Sequence, residues 1–182
     1  MPVKPKEFYN KIASVYDSIY ARREEETNKE VKFIGRFVKK GRILDLECGT
    51  GRLLLPLYKQ GYEVYGIDIS KKMIEIARKK IEGLPITLVI GDFSKKIPFP
   101  DNFFDCIICM HSSLLHLRKS DRKRFSKEVK RVLKKNCCMI IDLPDISQNK
   151  TFDYGKFYVK KVNRTTAIDY DRSTNSSCYL HF

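Results

Sequence analysis

The sequence has 182 residues, 42% hydrophobic and 32% charged, a length and balance suited to one soluble domain with a sizeable core. Its apolar runs are too short to span a membrane, and residues 1–20 lack the apolar stretch of a secretory signal, which points to a cytoplasmic protein. A formal net charge of +14 favours anionic partners such as nucleic acid, phosphorylated small molecules or a membrane surface, but no nucleic-acid recognition motif accompanies it, so nucleic acid is not the favoured partner.

A helix is expected over residues 23–38, where Val31, Ile34, Phe37 and Val38 share a face, Glu24 to Glu26 suit the start and Gly41 lies just past the end. Strands and helices then alternate. Residues 42–46 (RILDL) read as a first strand. Residues 51–61 read as a helix closed by Gly61, with Pro56 either bending it or restricting its first turn. A second strand follows at 62–67. The helix at 70–83 has Ser70 as N-cap, Met73, Ile74, Ala77 and Ile81 inward, and Gly83 past its end. Residues 86–90 form the third strand, and 103–110 the fourth, apolar on both faces and therefore central. A basic amphipathic helix over 120–135 turns Phe125, Val129, Val132 and Leu133 inward. Asn136 can support a tight turn before a fifth strand at 137–143.

This alternation is that of an α/β protein with a doubly wound, mostly parallel sheet and right-handed crossovers. From Gln148 onward two β-rich segments around DRSTNSS (171–177) read as an antiparallel hairpin. The expected division is therefore 1–147 for the α/β domain and 148–182 for a β-rich tail.

Six cysteines follow no disulfide framework. Cys106 and Cys109 have C-x-x-C spacing, but residues three apart on a strand point to opposite faces and cannot share a metal. Adjacent Cys137 and Cys138 diverge in the same way. All read as buried thiols in a reducing compartment, with no metal site.

Three acids fall at strand ends: Asp45, Asp68 and Asp92. In open α/β sheets ligands bind beyond those carboxyl ends. Gly49 and Gly51 permit a sharp turn and close approach of backbone to ligand. A carboxylate closing the second strand can accept from both hydroxyls of a ribose, and one after the third strand can accept from an adenine amine. A dinucleotide turn requires a further glycine where Leu54 stands, which disfavours NAD. No G-K-[ST] follows, which excludes a P-loop.

The ordered set ILDLECGTGR, YGIDIS, GDF and FPDNFFDCIICM resembles the class I S-adenosylmethionine-dependent methyltransferases across residues 8–146. FYNKIASVYDSIY and IIDLP resemble the small-molecule type. The resemblance implies a Rossmann-like sheet in the order 3-2-1-4-5, S-adenosylmethionine as cofactor and a small-molecule acceptor. It implies that the turn from Glu47 to Gly51, with Cys48 and Gly49, wraps the methionine part of the cofactor, and that Asp45 and Met73 also line the site. By the same resemblance Asp68 takes the ribose, Ile69 lies beside the adenine, and Asp92 and Phe93 hold its edge and face. His111 lies beside the sulfonium and is the first candidate for a proton-transfer role, with His116 second. Tyr9 and Tyr16 close the site.

The sequence departs from that pattern at Glu47, where the family has a small residue. A left-handed backbone there costs roughly 1 kcal/mol or more, and the carboxylate either repels the cofactor's carboxylate or accepts from its amino group. The family's final hairpin looks shortened, as in a truncated enzyme, a fragment or a chain that completes its sheet by forming a homodimer. Two further readings stay open: a cofactor-binding subunit of a partner methyltransferase, and an RNA methyltransferase.

Overall fold

The computed structural model describes residues 5–19, 24–110, 117–143, 156–161 and 164–170, the last two segments by backbone alone. Two helices, α1 (Pro5–Ile19) and α2 (Glu24–Phe37), precede the first strand β1 (Arg42–Leu46). Then come α3 (Leu54–Lys59), β2 (Glu63–Asp68), α4 (Lys71–Lys80), β3 (Thr87–Ile90) and β4 (Phe104–Cys109). A short 3-10 turn (Lys119–Asp121) leads into α5 (Arg122–Val132) and β5 (Leu133–Leu143).

The five strands pair in parallel in the order β3-β2-β1-β4-β5, as the sequence leads one to expect. The chain therefore moves one way from β1 through β2 to β3 and the other way through β4 to β5. The switch in strand order lies between β1 and β4, where such sheets take their ligands. The backbone of β6 (Lys156–Lys161) and β7 (Arg164–Tyr170) continues the β5 edge antiparallel. The turn expected over 171–177 lies outside the described residues.

Strict alternation along the strands gives each sheet face its own core. Ile43, Val64, Cys106, Ile108, Cys138 and Ile140 face α2, α3 and α4. Leu44, Leu46, Ile67, Ile107, Met139 and Ile141 face α5 and the segment after β3. The cysteines divide as alternation requires: Cys106 and Cys138 meet in the first core with sulfurs 3.9 Å apart, whereas Cys109 is in the second and Cys137 packs against it. Phe104, fully buried beneath Tyr65, Phe99 and Phe103, anchors the amino-terminal end of the second core.

Two boundaries differ from the sequence reading. The third helix begins only at Leu54, so Pro56 lies in its first turn, where a missing N–H leaves no intrahelical acceptor unpaired, and the helix is short rather than bent. The fifth helix stops at Val132 because Leu133 is already extended (φ −83°, ψ 136°) and pairs with Phe104. Asn136 lies inside β5 at φ 63° and takes up the register shift before Cys106 pairs with Cys138. Local turn chemistry at Asn136 was legible; the pairing of the residues before it was not.

Arg131 fixes the segment between β3 and β4 against α5. Its guanidinium donates to Glu128, Asp101 and the carbonyls of Ile97 and Phe99 at 2.7–3.1 Å. Among the described residues no helix is long and apolar enough to cross a membrane.

Candidate active site

The glycine turn is built by its hydrogen bonds. Asp68 ends β2 and accepts from the backbone N–H of Gly49 (2.9 Å) and of Ser70 (2.7 Å), one on each carboxylate oxygen. A single carboxylate thus joins the turn after β1 to the start of α4. The Ile69 N–H also favours its charged form, and a carboxylate has about four lone-pair sites in all. Glu47, Gly49 and Gly51 all take positive φ, at 58°, 56° and 84°. A Cβ on Gly49 would meet nothing nearer than the Glu47 carbonyl at 4.0 Å, so its bare backbone faces open space. Gly51 is small for another reason: a Cβ there would come within 3.0 Å of Leu54 and 3.2 Å of Ala77. It lets α3 and α4 approach rather than a ligand.

Above this turn lies a cavity of ≈ 270 Å³. That is near the low end of small-molecule sites, ~300–1,000 Å³. The structure brings Tyr9, Tyr16, Asp45, Glu47, Cys48, Gly49, Asp68, Ile69 and Met73 together in its wall. Glu47 is half-buried and leaves the hollow open. Gly51, Asp92 and Phe93 are not in the wall. Phe93 is buried in the second core, its ring 5.3 Å from that of Phe125. Asp92 accepts from the N–H and hydroxyl of Ser94 (3.0 and 2.6 Å) and faces Lys95. His111 and His116 lie outside the described residues.

The wall also holds Thr50, inside the expected turn, and residues that the sequence reading missed: Asp17, Arg52, Lys80 and Met110. Asp17, Thr50, Arg52 and Lys80 belong to two polar systems. In the first, α1 is fastened over the site. Asp17 accepts from the Thr50 hydroxyl (2.6 Å) and pairs with Lys80 (2.6 Å), while Asn10 accepts from the Ser70 hydroxyl (2.7 Å). Ser70 in turn caps α4, accepting from the Met73 N–H. Burial pushes the Asp17 carboxyl up, but its bonds from Lys80 and Thr50 outweigh that and hold it below the usual range.

In the second system, Arg52 pairs with Glu30 of α2 at 2.6 Å and donates to Thr27. Glu30 is wholly buried. Its sequence signal was available: residues 27, 30, 31 and 34 share one helical face, and an acid on an inward face requires a partner. Asp45 is buried, 4% exposed. Burial pushes its carboxyl up to about 8; Arg52 opposes this, and Asp68 and Glu30 add to it. Asp68 is also raised by burial, against the backbone N–H groups that favour its charged form. An acidic wall with buried carboxyls at its base and one bare stretch of backbone suits a cationic ligand that has hydroxyl and amine donors.

Residues 43–136, half of the chain, match the family described as Methyltransferase domain. The chain belongs to that family. It is 34% identical over 137 residues to the Bacillus subtilis protein YqeM, covering 74% of this chain and 55% of that protein. It is 36% identical over 111 residues to the demethylmenaquinone methyltransferase of Symbiobacterium thermophilum, covering 55% of this chain and 44% of that enzyme. Against the solved S-adenosylmethionine-dependent methyltransferase of Clostridium acetobutylicum the TM-score is 0.59 at 26% identity, with 85% of this chain and 68% of that chain covered. The chain spans about half the length of these two curated relatives.

The cofactor of this methyltransferase domain is S-adenosylmethionine, and the residues present fit it. Asp68 lines the cavity with acceptor capacity beyond its backbone bonds, Gly49 offers a wall without a side chain, and the cavity carries the acidic groups that a net cationic ligand requires.

Proposed function

We propose that this chain transfers a methyl group from S-adenosylmethionine to a small-molecule acceptor. The observation that carries this is the cavity itself: a hollow at the carboxyl ends of β1 and β2 in which Asp68 is fixed by two backbone amides beside the open face of Gly49. When bound, the cofactor supplies an already activated methyl on a sulfonium. The protein then chiefly orients and encloses, and such alignment provides much of the rate in reactions of this kind. Asp68 would orient the ribose. Asp45 and Glu47 would face the methionine end, Ile69 and Met73 would pack against the nucleoside, and Tyr9 and Tyr16 would exclude water from above. Asp92, whose Ser94 bonds fall on one carboxylate oxygen, and Phe93 would hold the edge and face of the adenine. His111 is proposed as the residue beside the sulfonium, with proton transfer as its role.

A small acceptor is supported by the demethylmenaquinone methyltransferase relative, whose named substrate is a small organic molecule. RNA is the competing acceptor, favoured by the exposed Arg122, Lys123, Lys127 and Lys130 of α5, none of which lines the cavity. Calorimetric titration with S-adenosylmethionine and S-adenosylhomocysteine, followed by release of labelled methyl onto a panel of small acceptors, tests the proposal. No binding of either compound at millimolar concentration refutes it. Tight RNA binding with a steep salt dependence and methyl incorporation into RNA would favour the competitor.

A further inference from the structure

Arg52 follows the glycine turn directly, lines the cavity and is gripped along one edge. Its guanidinium donates to Thr27 (3.1 Å) and pairs with Glu30 (2.6 Å), and both contacts fall on one terminal nitrogen, Nη1. Thr27 and Glu30 are 6% and 0% exposed, so α2 holds this edge from within the core. Nε and Nη2 carry the remaining N–H donors of the fork. No group among the described residues accepts from them, and 22% of the side chain is exposed. Those two nitrogens form the edge that a carboxylate can bridge with two parallel hydrogen bonds.

The ligand assigned to this cavity carries such a group. S-adenosylmethionine ends in an amino acid, so beside its cationic sulfonium and ammonium it brings one carboxylate. The wall has acids for the cations, in Asp17, Asp45, Glu47 and Asp68, and two cations that could meet the carboxylate, Arg52 and Lys80. Lys80 is 39% exposed, pairs with Asp17 and is a compact charge on a flexible stem. Arg52 has the planar fork, a rigid seat on α2 and a place beside the turn expected to wrap the methionine end. It also acts electrostatically on Asp45, which lies at that end.

We propose that Arg52 receives the carboxylate of the cofactor's amino-acid end through Nε and Nη2, and so makes the site selective for the intact cofactor over forms that lack this group. This rests on the cofactor reading above. Glu30 and Thr27 fix the plane of the guanidinium, so the incoming carboxylate meets a preset geometry and little side-chain freedom is lost on binding. A charge-assisted hydrogen bond of this kind is worth about tenfold or more in affinity. Decarboxylated cofactor and thioether nucleosides without an amino acid keep the adenosine and lose that gain. The site therefore reads both ends of its ligand, the ribose at Asp68 and the amino acid at Arg52.

The test is calorimetry on the full chain and on Arg52→Gln and Arg52→Lys. The ligands are S-adenosylhomocysteine and its analogue in which hydrogen replaces the carboxylate. The parent should bind the intact compound about tenfold or more tightly than the analogue. Arg52→Gln should lose that preference while its affinity for the analogue stays nearly the same, and Arg52→Lys should keep part of it. A parent without the preference overturns the proposal. So does an unchanged ratio in Arg52→Gln, even if both affinities fall, since Arg52 would then only hold α2 to the turn. Arg52→Gln leaves the buried Glu30 without this cation; if it fails to fold, the double variant Arg52→Gln with Glu30→Gln decides by the same ratio. Failure of the unaltered chain to bind either compound would instead bring down the cofactor reading, and this inference with it.

Discussion

At Glu47 the backbone conformation makes a stability claim that is separate from ligand binding. A non-glycine residue in the left-handed region costs ~1–2 kcal/mol, so Glu47→Gly should stabilise the free protein by about 1 kcal/mol net of the entropy glycine loses on folding. In a domain of this size that raises the melting temperature by roughly 2–4 °C. Calorimetric melting without cofactor checks it; an unchanged or lower midpoint would show that the φ of 58° carries no net cost here. Asp68→Asn should lower affinity for S-adenosylmethionine by tenfold or more, since a charge-assisted hydrogen bond is worth about 1.5–3 kcal/mol. It should also lower the melting temperature, because the carboxylate fixes the Gly49 and Ser70 amides. The place of Asp45 and Asp68 in the cavity wall was legible because each lies at the carboxyl end of a β-patterned run, which is where an open α/β sheet meets its ligand. The direction of the Phe93 ring was not legible, because it is decided by Phe125 on a helix more than thirty residues later.

At the scale of elements, the place of α1 is determined little by apolar burial. Ala13 is its one buried residue among those described, while Phe8, Val15 and Ile19 remain exposed. Polar contacts at two points hold it: Asn10 to the start of α4, and Asp17 to Thr50 and Lys80. Few buried contacts and solvent-reachable hydrogen bonds mark a segment that opens locally. Asp17→Ala should therefore raise amide exchange in residues 5–19 well above that in α4 and weaken cofactor binding several-fold, with little change in global stability. Equal protection in variant and parent would show that apolar contacts alone seat the helix. The contribution of Asp17 has a defined pH window. Its folded pKa is depressed, so the contribution is present above the ordinary value of 3.8 and is lost as pH falls through the lower folded value. Periodicity revealed β1 to its exact residues and Ser70 as the cap of α4. It could not reveal the seat of α1 or the early start of β5, since both depend on partners distant in sequence.

Over the whole molecule, charge is segregated: a chain of formal charge +14 surrounds a cavity whose wall is rich in carboxylates. The basic surface raises the local potential for anions, whereas the site inside selects a cation, so surface and site answer to different ligands. Keeping acids buried makes stability depend on pH in a direction opposite to that of a salt-bridged carboxylate. Asp45 titrates near its ordinary 3.8 when unfolded and near about 8 when folded. Between those values the folded state binds more protons than the unfolded one, so this group lowers stability as pH rises. Below about 4 both states are protonated and above about 8 both are ionised, so its slope vanishes at each end. Asp45→Asn removes this titration while leaving surface charge in place. The stability of Asp45→Asn relative to the parent should therefore increase steadily from pH 4 to pH 8, by no more than about 1.4 kcal/mol per pH unit for a single proton. Urea titrations at several pH values measure it, and a gap that does not change with pH would refute the assignment. The same group couples the site to binding. A cationic cofactor favours the ionised form of Asp45, so binding of S-adenosylmethionine near pH 7 should release a proton. Titration heats in buffers of different protonation enthalpy would show that release in the parent and its loss in Asp45→Asn.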